Sequence, residues 1–128
     1  MKIIAMSIFV DDQDKAQQFY TEKLGFKTKH HIEIDGGFKW LTVTENHSSN
    51  PVEIVLEPNA SPIAKNYQEG LYEAGIPVTM FGVDNLEKEH ETLVNQGIHF
   101  HTAPKEVEGV KYAIFDDTCG NLIQIVEQ

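Results

Sequence analysis

Glu53 is the residue of this sequence whose surroundings most favour reactivity. It lies in the run 52–57, where alternation puts Glu53, Val55 and Glu57 on one face of a predicted strand and Val52, Ile54 and Leu56 on the other. A carboxylate facing a partly enclosed space loses hydration, which raises its pKa. Such a group serves as general base on a carbon acid or as anchor for a cationic ligand. The plainer reading is a solvated glutamate on a wet sheet. Trp40, the only tryptophan, falls in another predicted strand, with Phe9 and Tyr112 as further aromatic candidates. Aromatic walls beside a few carboxylates suit a flat or cationic ligand. Phe19, Tyr20, Phe81 and Phe115 read as core.

The histidines argue less. His99 and His101 stand two apart on a predicted strand and share a face, as two metal ligands would, but no third ligand is indicated. Surface histidines on an edge strand explain them more simply. His30 and His31 are adjacent, so they point to opposite faces, which speaks against a joint role. His90 falls on the buried stripe of a predicted helix and His47 in a polar loop. Cys119 precedes Gly120 in a turn with no cation nearby to lower its pKa, so it is not a predicted nucleophile. Asp116 and Asp117 read as turn formers. No phosphate-cradling glycine loop or dinucleotide fingerprint is present.

The elements that position these residues come in two similar sets. Residues 8–12 (Ile-Phe-Val-Asp-Asp) and 81–85 (Phe-Gly-Val-Asp-Asn) each open a helical pattern that stops at a glycine, Gly25 or Gly97. In the first set, an apolar strand 2–10 precedes a helix capped by Asp11 or Asp12, with Ala16, Phe19, Tyr20 and Leu24 on its apolar side. Strands are predicted at 26–34, 38–44 and 52–57, the first two joined by a turn at Asp35-Gly36-Gly37. A connecting helix is predicted within 58–75 from Ile63, Tyr67 and Leu71. The second set has a strand at 78–83 and a helix capped by Asp84 with Glu87 as capping-box partner, whose stripe is Leu86, His90, Leu93 and Val94. Strands follow at 98–102, 110–115 and 122–126, with turns at Pro104 and at 117–121.

The chain has 128 residues, a single domain's worth, with 41% hydrophobic and 23% charged residues. Ten basic against twenty acidic residues give a net charge of −10, which repels nucleic acid and attracts cations. The uncharged stretch 3–10 is too short to span a bilayer and lacks a signal-peptide cleavage pattern. One cysteine makes no internal disulfide, so a cytoplasmic location is expected.

Val10-x-Asp12, Ala16-x-x-Phe19-Tyr20, Leu24-Gly25-Phe26, Val83-Asp84 and the run 115–125 together resemble the vicinal oxygen chelate superfamily of glyoxalase I, bleomycin-resistance proteins and extradiol dioxygenases. Thr118 stands where that family usually has proline. The resemblance covers the whole chain and implies an α+β fold: two tandem βαβββ modules, 1–57 and 76–128, joined by 58–75. Their strands would curve around a cavity with the helices outside. Alternation then puts Ala5, Ser7, Phe9, Trp40, Thr42, Glu53, Val55, Val78, Met80, Tyr112 and Gln124 on the cavity side, and Ile4, Met6, Ile8 and Val10 under the helices. Small two-module chains of this family usually pair, so a homodimer is expected.

Enzymes of the superfamily hold a divalent metal with one residue from the first and one from the last strand of each module. Here the resemblance puts those positions on Ala5, Glu53, Val78 and Gln124. Two of the four have no donor atom, so no metal and no other cofactor is expected. The implied function is binding of a small, cationic or aromatic molecule, as in the bleomycin-resistance branch, with Glu53 the candidate for any catalysis. The alternative is a metal-dependent lyase or dioxygenase with a remodelled site.

Overall fold

β1 (Ala5–Val10) is followed by α1 (Gln13–Gln18), a π-helical turn at Phe19–Lys23, β2 (Lys27–Glu33), β3 (Lys39–Thr44) and β4 (Glu53–Pro58). These strands form a mixed sheet in the order β1-β4-β3-β2, with β1 parallel to β4. In this computed structural model, which describes residues 1–49 and 51–128, they belong to one compact unit, Met1–Lys65. The boundary to the second unit falls within α2 (Pro62–Glu73). The second unit, Asn66–Gln128, holds β5 (Thr79–Val83), α3 (Leu86–Asn95), β6 (Phe100–Val107), β7 (Val110–Asp116) and β8 (Leu122–Glu127). Its sheet has the order β5-β8-β7-β6, with β5 parallel to β8. This is the predicted α+β class: two βαβββ modules, each built on a mixed sheet of four strands.

Asp12 caps α1, its carboxylate accepting from the Lys15 N–H at 3.0 Å. The wider π-helical turn lets two consecutive aromatic residues, Phe19 and Tyr20, both become buried, their rings edge to face at 5.6 Å. Gly25, at φ 78°, then takes the left-handed position that releases the chain into β2. On the side of the first sheet that α1 packs against, Val10, Leu41, Val43 and Leu56 are buried.

Side-chain amides tie helices to sheets in both units. Gln13 donates from Nε2 to the Lys39 and Leu56 carbonyls at 2.9 and 2.8 Å and accepts from the Lys39 N–H at 3.0 Å. One buried side chain thus fastens α1 to β3 and β4. Gln68 of α2 donates to the Cys119 carbonyl at 3.0 Å and to Asn121 Oδ1 at 3.2 Å. Buried Asp117 accepts from the Cys119 and Asn121 N–H groups at 2.7 and 3.0 Å, which makes the β7–β8 turn a hydrogen-bonded block.

Several expectations need correction. Ile4 and Met6, predicted to lie under the helices, are 66% and 62% exposed. On that side of β1 only Ile8 and Val10, in the C-terminal half of the strand, are buried. α3 is capped by Asn85, whose Oδ1 accepts from the Lys88 N–H at 3.0 Å, and not by Asp84. That register puts Glu87 at the second helical position, where it favours the helix dipole but cannot close a capping box. Pro104 lies inside β6 and not at a turn. It is tolerated because β6 is an edge strand with register shifts on both sides of Thr102, including between Thr102 and Lys105. The apolar stripe of α2 faces outward, Ile63 being 84% exposed, while Ala64 and Gln68 are its buried residues. Val94 of the α3 stripe is exposed as well.

Candidate functional site

Register decides which side chains share a face. Ala5 pairs with Glu53, Ser7 with Val55, and Phe9 with Glu57. Thr42 stands opposite both Val55 and His30, and Trp40 opposite Ile32. Directly opposed residues point the same way. Hence Ala5, Ser7, Phe9, Trp40, Thr42, Glu53 and Val55 occupy one face of the first sheet, the one turned away from α1, together with His30 and Ile32. In the second unit Met80 pairs with Gln124, Gln124 with Ile114, and Tyr112 with Val126. Met80, Tyr112 and Gln124 therefore share a face, and Val78, two residues before Met80, falls on the same side. Lys105 sits 5.5 Å above the Tyr112 ring.

The first face carries a polar cluster. Thr42 Oγ1 donates to Glu53 Oε1 at 2.8 Å, and His30 Nδ1 lies 2.7 Å from the same oxygen. The His30 N–H donates to Thr42 Oγ1 at 3.1 Å. Thr42 is fully buried, while the Glu53 and His30 side chains are 20% and 40% exposed. The sequence predicted a Glu53 pKa raised by desolvation, and the structure reverses this. The Thr42 hydroxyl bond, joined by the His30 ring and the Lys29 charge, outweighs desolvation and holds the carboxyl below its ordinary value. Glu53 is a fixed anion. Trp40, 42% exposed, lies on the same face diagonal to His30 and cross-strand from exposed Ile32.

His30 is the member of this cluster that sequence reasoning missed. Its adjacency to His31 correctly implied opposite faces: His31 lies instead near Gln17 Nε2, at 3.3 Å, and near Glu33. The overlooked signal was the turn. A hairpin centred on Gly36 pairs Glu33 with Lys39, Ile32 with Trp40 and His30 with Thr42, all readable by counting outward. Elsewhere His90 packs edge-on against Phe100, His101 is exposed, and Cys119 is buried.

The superfamily's metal does not fit these residues. The pairs Val10–Pro58 and Val83–Glu127 close the two parallel ladders, so Ser7–Val55 corresponds to Met80–Gln124. Val55, and not Glu53, is thus the counterpart of Gln124. Ala5, Val55 and Val78 offer no side-chain donor, and a lone amide oxygen is a poor site for a divalent ion. Among the described residues no group of three or more His, Cys, Asp or Glu could hold a metal.

Residues 2–125 match the Glyoxalase/Bleomycin resistance protein/Dioxygenase superfamily. The chain belongs to this superfamily. It is 48% identical over its full length to the uncharacterized protein YurT of Bacillus subtilis (strain 168), of which it covers 100%. It resembles the crystal structure of UcmS2 with a TM-score of 0.85 and 29% identity, covering 100% of this chain and 98% of that one. TnmS3, an antibiotic binding protein from Streptomyces sp. CB03234, shares the superfamily fold at a TM-score of 0.72 and 21% identity, over 99% of this chain and 95% of that one. Among the described residues no helix is long and apolar enough to cross a membrane.

Proposed function

We propose that this superfamily member binds a small organic molecule on the Glu53 face of its first sheet, without the divalent metal used by the superfamily's enzymes. The observation that carries the reading is the Glu53 carboxylate, kept ionised by Thr42 and His30 on the same face as exposed Trp40. A carboxyl with a lowered pKa is a weak base, because general bases work best with a pKa near the operating pH. The same group is a durable anchor for a positive charge, and Trp40, four residues along β3 from the position opposite Glu53, offers a ring face to a ligand long enough to reach both. Both bonds converge on Oε1, which leaves Oε2 to a ligand. The net charge of −10 draws basic molecules toward the protein and repels nucleic acid. A cytoplasmic homodimer is part of the same reading.

The test uses proflavine, a flat cationic dye, titrated at about 0.15 M salt to screen non-specific attraction. Binding should quench Trp40 and change the dye's own fluorescence. Glu53→Gln should weaken it about tenfold, or about 1.4 kcal/mol. Trp40→Leu, read by dye fluorescence and by calorimetry, should weaken proflavine more than an aliphatic amine such as butylammonium. Unchanged affinity in both variants, or no quenching up to millimolar dye, would overturn the reading.

A further inference from the structure

The hydrogen atoms of the polar cluster can be assigned from its geometry. Thr42 has one hydroxyl proton, and it is donated to Glu53 Oε1 at 2.8 Å. Toward its other neighbours Thr42 Oγ1 is therefore an acceptor: it takes the His30 backbone N–H at 3.1 Å and lies 3.2 Å from His30 Nδ1. The ionised Glu53 carboxylate, 2.7 Å from Nδ1, is an acceptor only. Both oxygens facing Nδ1 are thus acceptors, so Nδ1 carries the hydrogen. In the neutral ring Nε2 is then bare and presents a lone pair. Free imidazole side chains prefer the opposite tautomer, so the cluster imposes this one. No described residue bonds Nε2, and the side chain is 40% exposed.

We infer that His30 is a ligand contact that sets specificity: its Nε2 accepts a hydrogen from a hydroxyl group of the ligand while the ligand's ring rests on Trp40 and Ile32. Diagonal neighbours on one sheet face stand about 7–8 Å apart, within the span of a two-ring aromatic compound. The ligand class is therefore a hydroxylated aromatic, and its ether analogue, lacking the donor, is discriminated against. Glu53 acts here as a positioning residue that fixes the tautomer through Nδ1, as carboxylates orient histidines elsewhere. The inference rests on the binding role proposed for this face and adds to it the group that His30 reads.

Two measurements test it. Imidazole 15N NMR of the unmodified protein at pH 7.5 should show His30 with hydrogen on Nδ1, and Glu53→Leu should return it to the Nε2–H form. A spectrum of the wild-type protein with hydrogen on Nε2 overturns the inference. Second, 2-methoxynaphthalene is 2-naphthol with a methyl group in place of the hydroxyl hydrogen, so it lacks the donor. The wild-type protein should bind the naphthol about tenfold more tightly, the worth of one well-made hydrogen bond, and should shift the Nε2 resonance. His30→Phe keeps a ring but no acceptor, so it should bring the ratio to about one with the methoxy affinity unchanged. Equal binding of both probes by the wild-type protein overturns the role of His30 while leaving the proflavine result, and with it the anionic anchor, intact. Failure of both naphthalenes to bind overturns it as well, and proflavine then decides separately whether the face binds anything.

Discussion

Thr42 spends its one hydroxyl proton on Glu53 and is fully buried, so its removal should be felt chiefly through the carboxylate. Thr42→Val keeps the shape and deletes the donor. A charged acceptor left short of a donor costs about 1–3 kcal/mol, so the variant should lose that much stability at pH 7, read by urea unfolding. The sign with pH follows from the direction of the Glu53 shift. A carboxyl held below its ordinary value of 4.5 stabilises the fold above that pH, and the contribution is lost as pH falls through the lower folded value. The stability gap between the wild type and Glu53→Gln should therefore shrink on acidification below about pH 4.5. A gap that widens would mean that Glu53 is folded as the neutral acid. At this scale alternation alone was enough to put seven residues on one face of the first sheet. It misjudged the direction of the Glu53 pKa shift because desolvation is suggested by flanking apolar residues, whereas the opposing donors come from two other strands and become visible only with register.

Gln13 attaches helix to sheet in the first unit with three backbone groups on one amide. Gln13→Leu is close in volume and leaves the three unpaired, a cost of about 3 kcal/mol. For a chain of this length that corresponds to a fall in Tm of about 10 °C, measurable by calorimetry. A fall under 2 °C would mean that water replaces the amide fully. The order of elements was legible because hydrophobic period and glycine stops are local signals. Element ends were not: Asp84 and Asn85 are both good caps, and the choice shows only in the structure, where Asn85 accepts the Lys88 N–H at 3.0 Å and the Glu127 carboxylate of β8 accepts the Leu86 N–H at 2.9 Å. Pro104 misled for the same reason, since a proline reads as a turn until the strand is known to be an edge.

Across the whole molecule the two modules keep one fold and differ in chemistry. Where the first sheet has His30, Thr42 and Val55 in register, the second has Thr102, Ile114 and Gln124. Among the described residues no group of three or more His, Cys, Asp or Glu could hold a metal, so protein purified without chelator should contain well under one equivalent of nickel, zinc, iron or manganese by elemental analysis. A stoichiometric ion would contradict the proposed function. β1 and β5 are edge strands of their own sheets, and exposed Ile3, Ile4, Met6, Ile76 and Met80 lie in or beside them. Apolar edges of this kind are normally covered. Sedimentation at micromolar concentration should give a dimer, and monomer alone would reject pairing. The same edges have a kinetic consequence. In a strand bonded on one side only, every second amide proton points away from the ladder and is open to isotope exchange. Alternate residues of β1 and β5 should therefore take up deuterium quickly in dilute solution and slowly in concentrated solution. The two strands would then record their own covering, residue by residue.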